Sequence, residues 1–262
     1  MISVIILTSS TKGSASVHLQ ELVKSDAIEV KAVIFNKNER INKKKYYKRK
    51  LKKTLKIGLF GAYNGVKMRQ WYSAGLAEHI EITPIEQLCK EHKIPFHKTP
   101  AINCEETREH FRNAGADVGL SLGNGYIGSK VFGIPTYGMI NIHHEELPAY
   151  QNAQSIIWQL YNNSDHTGYT IHKIDKHIDT GEIIYQELIP IDFKEDLATT
   201  VSFNYAKLFK HSSAGLVMVL EDFQNYFNNG KPQGNGGSYT TPSLRQFLRI
   251  KRNFKRLKAA AG

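Results

Sequence analysis

A neutral hydrogen-bond donor, an imidazole and a carboxylate stand at Asn141, His143 and Asp179, the last 36 residues beyond the histidine. Asn141 and His143 are one residue apart, so on an extended backbone both side chains point to the same side. Such a pair can face one substrate atom together. A carboxylate brought beside the imidazole sets its tautomer and charge. This is equipment for acyl or formyl transfer to an amine. Asn141 can donate to a developing oxyanion, and His143 can polarise the carbonyl through Nε2–H or donate as an imidazolium. Asp179 can stabilise that imidazolium and pass a proton. Asp175 is a weaker candidate, because a carboxylate there also suits capping of its own loop. His144 and His177 are expected to sit outward by simple alternation.

The trio needs elements to hold it. Strand-like and helix-like runs alternate through the first 145 residues. Strands are expected at Ile2–Leu7, Glu29–Phe35, Ile94–His97, Val118–Leu122 and Gly138–His143, and helices at Ser16–Ser25, Pro84–His92 and Glu105–Asn113. Thr83 is expected to cap the helix that Pro84 opens. Strands at Gly168–Ile174 and Ile183–Ile189 follow, then a long helix over Asp196–Phe227. This pattern predicts an α/β fold, a doubly wound and mostly parallel sheet. In such sheets ligands sit beyond the carboxyl ends of the strands. Asn141 and His143 end one strand, and Leu122-Gly123-Asn124-Gly125-Tyr126 ends the strand before it, so both are expected to open onto one crevice.

The formal net charge of +11 is unevenly placed. Residues 43–56 hold nine Lys/Arg and no acid, and residues 243–262 hold seven and no acid, leaving the remainder at −5. The first block lies in a basic, helical insertion at about 42–80. The second lies in a C-terminal extension, 228–262, that ends in a basic amphipathic helix and follows a catalytic domain at 1–227. Such blocks suit phosphate-bearing partners or an anionic surface. Cys89 and Cys104 have no second Cys or His at metal-ligand spacing, so ordinary buried thiols and no metal are expected. No run approaches 18 apolar residues and the first strand lacks a basic leader, so a cytoplasmic protein is expected.

The segment Asn141-Ile142-His143-His144-Glu145-Glu146-Leu147-Pro148-Ala149-Tyr150 resembles the Asn-x-His-x-x-x-Leu-Pro-x-Tyr signature of the 10-formyltetrahydrofolate-dependent formyltransferases. Gly168–Asp175 followed by Asp179-Thr180-Gly181-Glu182-Ile183-Ile184 resembles that family's second block. Trp158 and Asn162-Asn163 fit the helix between, and the strand-helix-strand ending at Lys37 resembles the family's opening. The resemblance implies a Rossmann-like formyltransferase fold with Asn141, His143 and Asp179 as the catalytic trio. It implies 10-formyltetrahydrofolate as co-substrate, lying against Leu122, Gly123, Asn124, Gly125, Tyr126 and Ile127 and against the Asp175–Asp179 loop, including Ile178. The sequence departs from the pattern at His144, Glu145 and Glu146 and at Gln151-Asn152, expected to lie beside the path of the attacking amine.

Three acceptors compete within the resemblance. The tRNA-directed branch carries a further C-terminal barrel, and only 35 residues follow Phe227. The glycinamide ribonucleotide branch cradles phosphate in a Gly-rich first loop, for which Thr8–Ser16 is a poor match. The branch acting on nucleotide-linked amino-deoxysugars is the favoured reading, with the glycinamide ribonucleotide enzyme as alternative. The expected partner is a small, phosphate-bearing amine, with a homodimer left open. A basic nucleic-acid or membrane-surface binder is the rival from another class, and it leaves Asn141, His143 and Asp179 unexplained.

Overall fold

The computed structural model describes residues 1–37, 43–152 and 154–261. In chain order the elements are β1 (Ile2–Thr8), α1 (Ser14–Leu22), β2 (Ile28–Asn36), α2 (Lys43–His79), α3 (Ile85–Glu91), β3 (Phe96–Thr99), α4 (Glu105–Ala114) and β4 (Val118–Ser121). There follow α5 (Ser129–Phe132), β5 (Met139–His143), α6 (Ile157–Tyr161), β6 (His166–Lys173), β7 (Ile183–Pro190), α7 (Leu197–Glu221), α8 (Phe223–Asn228) and α9 (Leu244–Ala261). The strands form one sheet in the order β3-β2-β1-β4-β5-β6-β7. β3 through β5 run parallel, whereas β6 and β7 pair antiparallel at one side.

Both faces of the sheet are covered. Val4 and Ile6 of β1 enter a core shared with α1, α3 and α7, while the alternate residues Ile5 and Leu7 enter a second core with Phe111 of α4 and Val131 of α5. This period-two division of an unbroken apolar run is what a parallel strand buried on both sides requires. It fixes the carboxyl ends of β4 and β5 side by side, through the pairing of Ser121 with Asn141.

Several local expectations are corrected. Thr83 does not cap α3: Pro84 stands at the cap without a side-chain bond, the Ile85 amide donates to the Thr11 carbonyl, and Thr83 Oγ1 accepts from Gln20 instead. A tertiary carbonyl thus does the work expected of a local hydroxyl. β3 begins at Phe96 rather than Ile94, because its register is set by pairing with Val33–Asn36 of β2. The helix expected over Asp196–Phe227 is two, broken at Asp222 (φ −119°, ψ 44°). Its start agrees with a cap, as the Asp196 carboxylate accepts from the Thr199 amide at 2.8 Å and is thereby held below the usual carboxylate range.

The basic insertion is helical, but Gly58 (φ 75°, ψ 167°) divides α2 into two halves. Position 42 of that insertion lies outside the described residues, as do the side chains of Lys43, Lys44, Lys45, Arg49, Lys53 and Lys56. Cys89 and Cys104 are free and buried, and burial pushes the Cys89 thiol up to about 12. No described helix is long and apolar enough to cross a membrane.

Candidate active site

Asn141 and His143 lie on β5 with their side chains on one face, at the carboxyl end of the parallel strands. They open onto a crevice of about 350 Å³ lined by Ser121, Gly123–Ile127, Asn141–His143, Asn152, His172, Ile174, Asp175 and His177–Asp179. The two strand ends predicted to share a crevice therefore do. Its floor is fixed by Asn124, whose side-chain amide donates to the Leu7 carbonyl and to Ser121 Oγ, while Ser9 Oγ donates to Asn124 Oδ1. Leu122 is the exception among the expected contacts. It is buried in the core with its amide bonded to Leu7, so it supports the floor without lining it.

Asp179 reaches the trio from the loop after β6. Its carboxylate lies 3.8 Å from His143 Nδ1 through one oxygen and 3.8 Å from His172 Nε2 through the other. These are charge-pair distances, longer than hydrogen bonds. The loop is held on several sides. The Asn152 amide donates to Asp179 Oδ2 at 3.1 Å, and Gln151 Nε2 donates to the Asp179 carbonyl at 3.3 Å. Asp179 itself is left-handed (φ 56°), a conformation that Asp and Asn tolerate better than other side chains. Asp175 caps the loop, accepting from the His177 amide and from Thr180 Oγ1. Two residues after Asp179, Gly181 packs against the end of β6 so closely that an added Cβ would collide with the Lys173 carbonyl.

The orientation of His143 differs from expectation. Nε2 lies 2.9 Å from the Tyr150 carbonyl, which only accepts, so this nitrogen carries the hydrogen and is occupied. Nδ1 is the atom turned towards Asp179. Nδ1 is thus the nitrogen left available: as a neutral ring it offers a lone pair, and as an imidazolium it offers a second N–H beside a carboxylate.

His172, to which sequence reading gave no role, completes the group. Its buried ring lies directly across the β5–β6 ladder from Asn141, so the two side chains share a face. Nδ1 donates to the Lys173 carbonyl at 2.9 Å, which leaves Nε2 as an acceptor, and the Asn141 amide stands 3.2 Å away. Burial lowers the His172 pKa and favours this neutral tautomer. His172 thus fixes the Asn141 amide, leaving its second hydrogen for the crevice. The missing signal was inter-strand register, although a His inside the second block could have flagged it.

His144 and Glu145 do not flank the crevice. His144 turns inward rather than outward, stacking on Phe209 of α7 (4.3 Å between ring centres), with Nε2 3.2 Å from Ser212 Oγ. Glu145 is wholly buried and receives a hydrogen bond from Gln159 Nε2. Burial drives the Glu145 carboxyl well above its ordinary value and the His144 imidazole well below, which favours the neutral form of each. The reason is geometric: the strand ends at His143, so alternation places His144 on the face that α1 and α7 cover. Asn152, by contrast, lines the crevice, and Gln151 beside it bonds to the Asp179 loop and ties it to the C-terminal extension. Tyr239 N donates to the Gln151 carbonyl at 3.0 Å, Gln151 N donates to Gly237 O at 2.8 Å, and Trp158 Nε1 donates to Thr240 O at 3.0 Å. Among the described residues no group of three His, Cys, Asp or Glu side chains is placed to hold a metal ion.

A methionyl-tRNA formyltransferase of Thermotoga sp. (strain RQ2) is 37% identical over 119 residues, 45% of this chain and 38% of that protein. The match thus spans about two fifths of that relative's length. An N-formyltransferase from Helicobacter canadensis, solved in complex with folinic acid and dTDP-3-aminofucose, superposes with a TM-score of 0.53 at 21% identity, over 97% of this chain and 81% of its own. A phosphoribosylglycinamide formyltransferase from Bacillus halodurans superposes with a TM-score of 0.56 at 19% identity, over 84% of this chain and 94% of its own. The sequence pattern of the formyl transferase family itself matches residues 3–220, more than four fifths of the 262 residues. The chain belongs to the formyl transferase family.

Proposed function

We propose that this protein transfers a formyl group from 10-formyltetrahydrofolate to a primary amine, and that the amine belongs to a nucleotide-linked amino-deoxysugar. The observation that carries the chemistry is the convergence of Asn141, His143, His172 and Asp179 at one wall of one crevice. The crevice also suits a flat, partly polar co-substrate. Backbone at Gly123–Ile127 forms one side, and Tyr126 and Ile178 expose apolar surface at its rim. The formyl-folate supplies a formyl carbon on nitrogen, and the protein's own groups do the rest. As the amine nitrogen bonds to that carbon, charge develops on the formyl oxygen, where the free hydrogen of the Asn141 amide stabilises it. The proton lost by the amine is taken at His143 Nδ1, and the resulting imidazolium lies beside the Asp179 carboxylate. Collapse of the intermediate breaks the bond to the folate nitrogen, which receives a proton from the same pair.

The sugar acceptor is supported by the likeness to the Helicobacter canadensis enzyme over 97% of this chain, against 84% for the glycinamide ribonucleotide enzyme of Bacillus halodurans. A second reading, an aminoacyl-tRNA acceptor, is favoured by the 37% identity to a methionyl-tRNA formyltransferase. Incubation with 10-formyltetrahydrofolate and each amine class, followed by mass spectrometry, separates these readings. Formylation of a nucleotide-linked amino sugar is expected. Exclusive formylation of glycinamide ribonucleotide or of aminoacyl-tRNA would overturn the acceptor but keep the chemistry, and no formylation of any amine would overturn both.

A further inference from the structure

The first half of α2 and the turns just past its kink take no part in the crevice, yet they combine two properties that rarely coexist on a solvated helix. From Arg40 to Ala77 the chain carries twelve Lys/Arg and no Asp or Glu. Leu51 and Leu55 before the Gly58 kink, and Leu59 and Tyr63 after it, are 62%, 77%, 83% and 66% exposed. Lys48, Lys50, Lys52 and Lys67 are exposed around them. The half of α2 after the kink is already packed on the protein through other residues. Gly61 and Gly65 lie against Pro242 and Thr241, and Met68 is fully buried in the main core. The exposed apolar side chains of that half are therefore distinct from those that pack on the protein. Single exposed leucines need no explanation, but several within a few turns do.

We propose that this face docks the protein on an anionic phospholipid surface, with the leucines entering the headgroup–acyl boundary and the lysines paired with lipid charge. The charge decides the occupant. A second copy of the chain would bring two basic helices together, which like-charge repulsion opposes. Nucleic acid would satisfy the lysines, but the most exposed apolar side chains of α2, Leu55 and Leu59, are aliphatic, whereas single-strand binders rely on aromatic platforms for stacking. An anionic bilayer satisfies both at once, and a basic amphipathic helix with leucines on its other face is the form that lies in such an interface. No described helix is able to span the bilayer, so the contact is peripheral.

The test is flotation of the full chain with vesicles of equimolar phosphatidylcholine and phosphatidylglycerol, against vesicles of phosphatidylcholine alone. Binding to the anionic vesicles is expected, weakening as salt rises. The combined variant Leu51→Asn, Leu55→Asn, Leu59→Asn should bind at least ~10-fold less, because burial of one leucine alone is worth roughly that factor. These side chains are exposed, so circular dichroism and formylation of a soluble amine should be unchanged. The variant Lys48→Gln, Lys50→Gln, Lys52→Gln should lose the preference for anionic lipid. The proposal is overturned if the wild type ignores anionic vesicles at low salt or if the leucine variant still binds them. It is equally overturned if light scattering shows leucine-dependent self-association without lipid, or if total tRNA binds while vesicles do not.

Discussion

His172 is the sharpest test of the site, because it is assigned a positioning role that the Asn–His–Asp trio alone does not require. Its Nε2 accepts from the Asn141 amide at 3.2 Å while Nδ1 donates to the Lys173 carbonyl at 2.9 Å. His172→Phe fills the space but removes both bonds. The lost Asn141 contact is an ordinary neutral hydrogen bond, worth about 1 kcal/mol net. The Asn141 amide is then no longer held in its catalytic orientation. Complete loss of an oxyanion donor costs about 10²–10³ in kcat. A donor that is present but unanchored should cost less, about 1–2 kcal/mol or ~5–30-fold in rate.

The assay is single-turnover and steady-state formylation, with kcat and KM for both substrates. His172→Phe should lower kcat by that factor and leave each KM within about twofold, since the loss is confined to the transition state. His172→Gln, which restores an acceptor near the position of Nε2, should recover most of the rate. The decisive measurement is the double-mutant cycle: on an Asn141→Ala background, His172→Phe should cost less than about threefold more. An undiminished effect in that background refutes the reasoning, because His172 would then act independently of Asn141. A fold-wide effect would appear as equal losses in kcat and thermal stability that Gln does not rescue.

Four further outcomes follow from the same geometry. His143→Ala and Asp179→Asn should each lower kcat by at least ~10²-fold, and Asn retains the left-handed backbone at 179, so near-normal turnover in either variant discards the assignment. Gly181→Ala should displace the Asp179 loop by collision with the Lys173 carbonyl and cost at least ~10-fold in kcat, measurable with the same assay. Burial lowers the His18 pKa from 6.5 to about 4, so the unfolded chain binds a proton that the folded one refuses in that interval. Its contribution to stability is therefore complete above 6.5 and is lost as pH drops towards 4; denaturant titrations should show the pH 7-to-5 loss shrinking by about 2 kcal/mol in His18→Gln. Glu145 has the opposite sign, a carboxyl raised by burial, so its contribution is complete below 4.5 and is lost as pH rises. Glu145→Gln should raise the melting temperature at neutral pH and leave it nearly unchanged below 4.5, where both side chains are neutral.

What could be read from the sequence was what depends on short range. Alternating apolar runs gave the strands, and period two put Asn141 and His143 on one face. The rule that open sheets bind beyond their carboxyl ends joined Gly123–Ile127 to that pair. What stayed hidden depends on partners distant in sequence. His172 meets Asn141 only through an antiparallel register that no single strand reveals. Thr83 loses its capping role because a carbonyl at Thr11 is nearer to the amide. The tail from Asn228 to Pro242 is Gly- and polar-rich, yet Gly237–Thr240 bonds to Gln151 and Trp158, and Gln233 Nε2 donates to Gly181 O at 2.7 Å.

The unusual run after His143 changes meaning in this light. His144 and Glu145 departed from the pattern expected beside the catalytic histidine, which pointed to acceptor choice. Their side chains instead go into the body of the protein. There His144 shares Ser212 of α7 with His18 of α1, and Glu145 meets Gln159 of α6. Each polar group costs free energy to bury, and the neutral forms are what make that burial tolerable. The same strand end therefore divides its labour: Asn141 and His143 face the crevice, and the next two residues fasten β5 to the helices behind it. The departures from the pattern that do border the crevice are Asn152 and its bond to the Asp179 loop, with the C-terminal segment held behind them through Gln151.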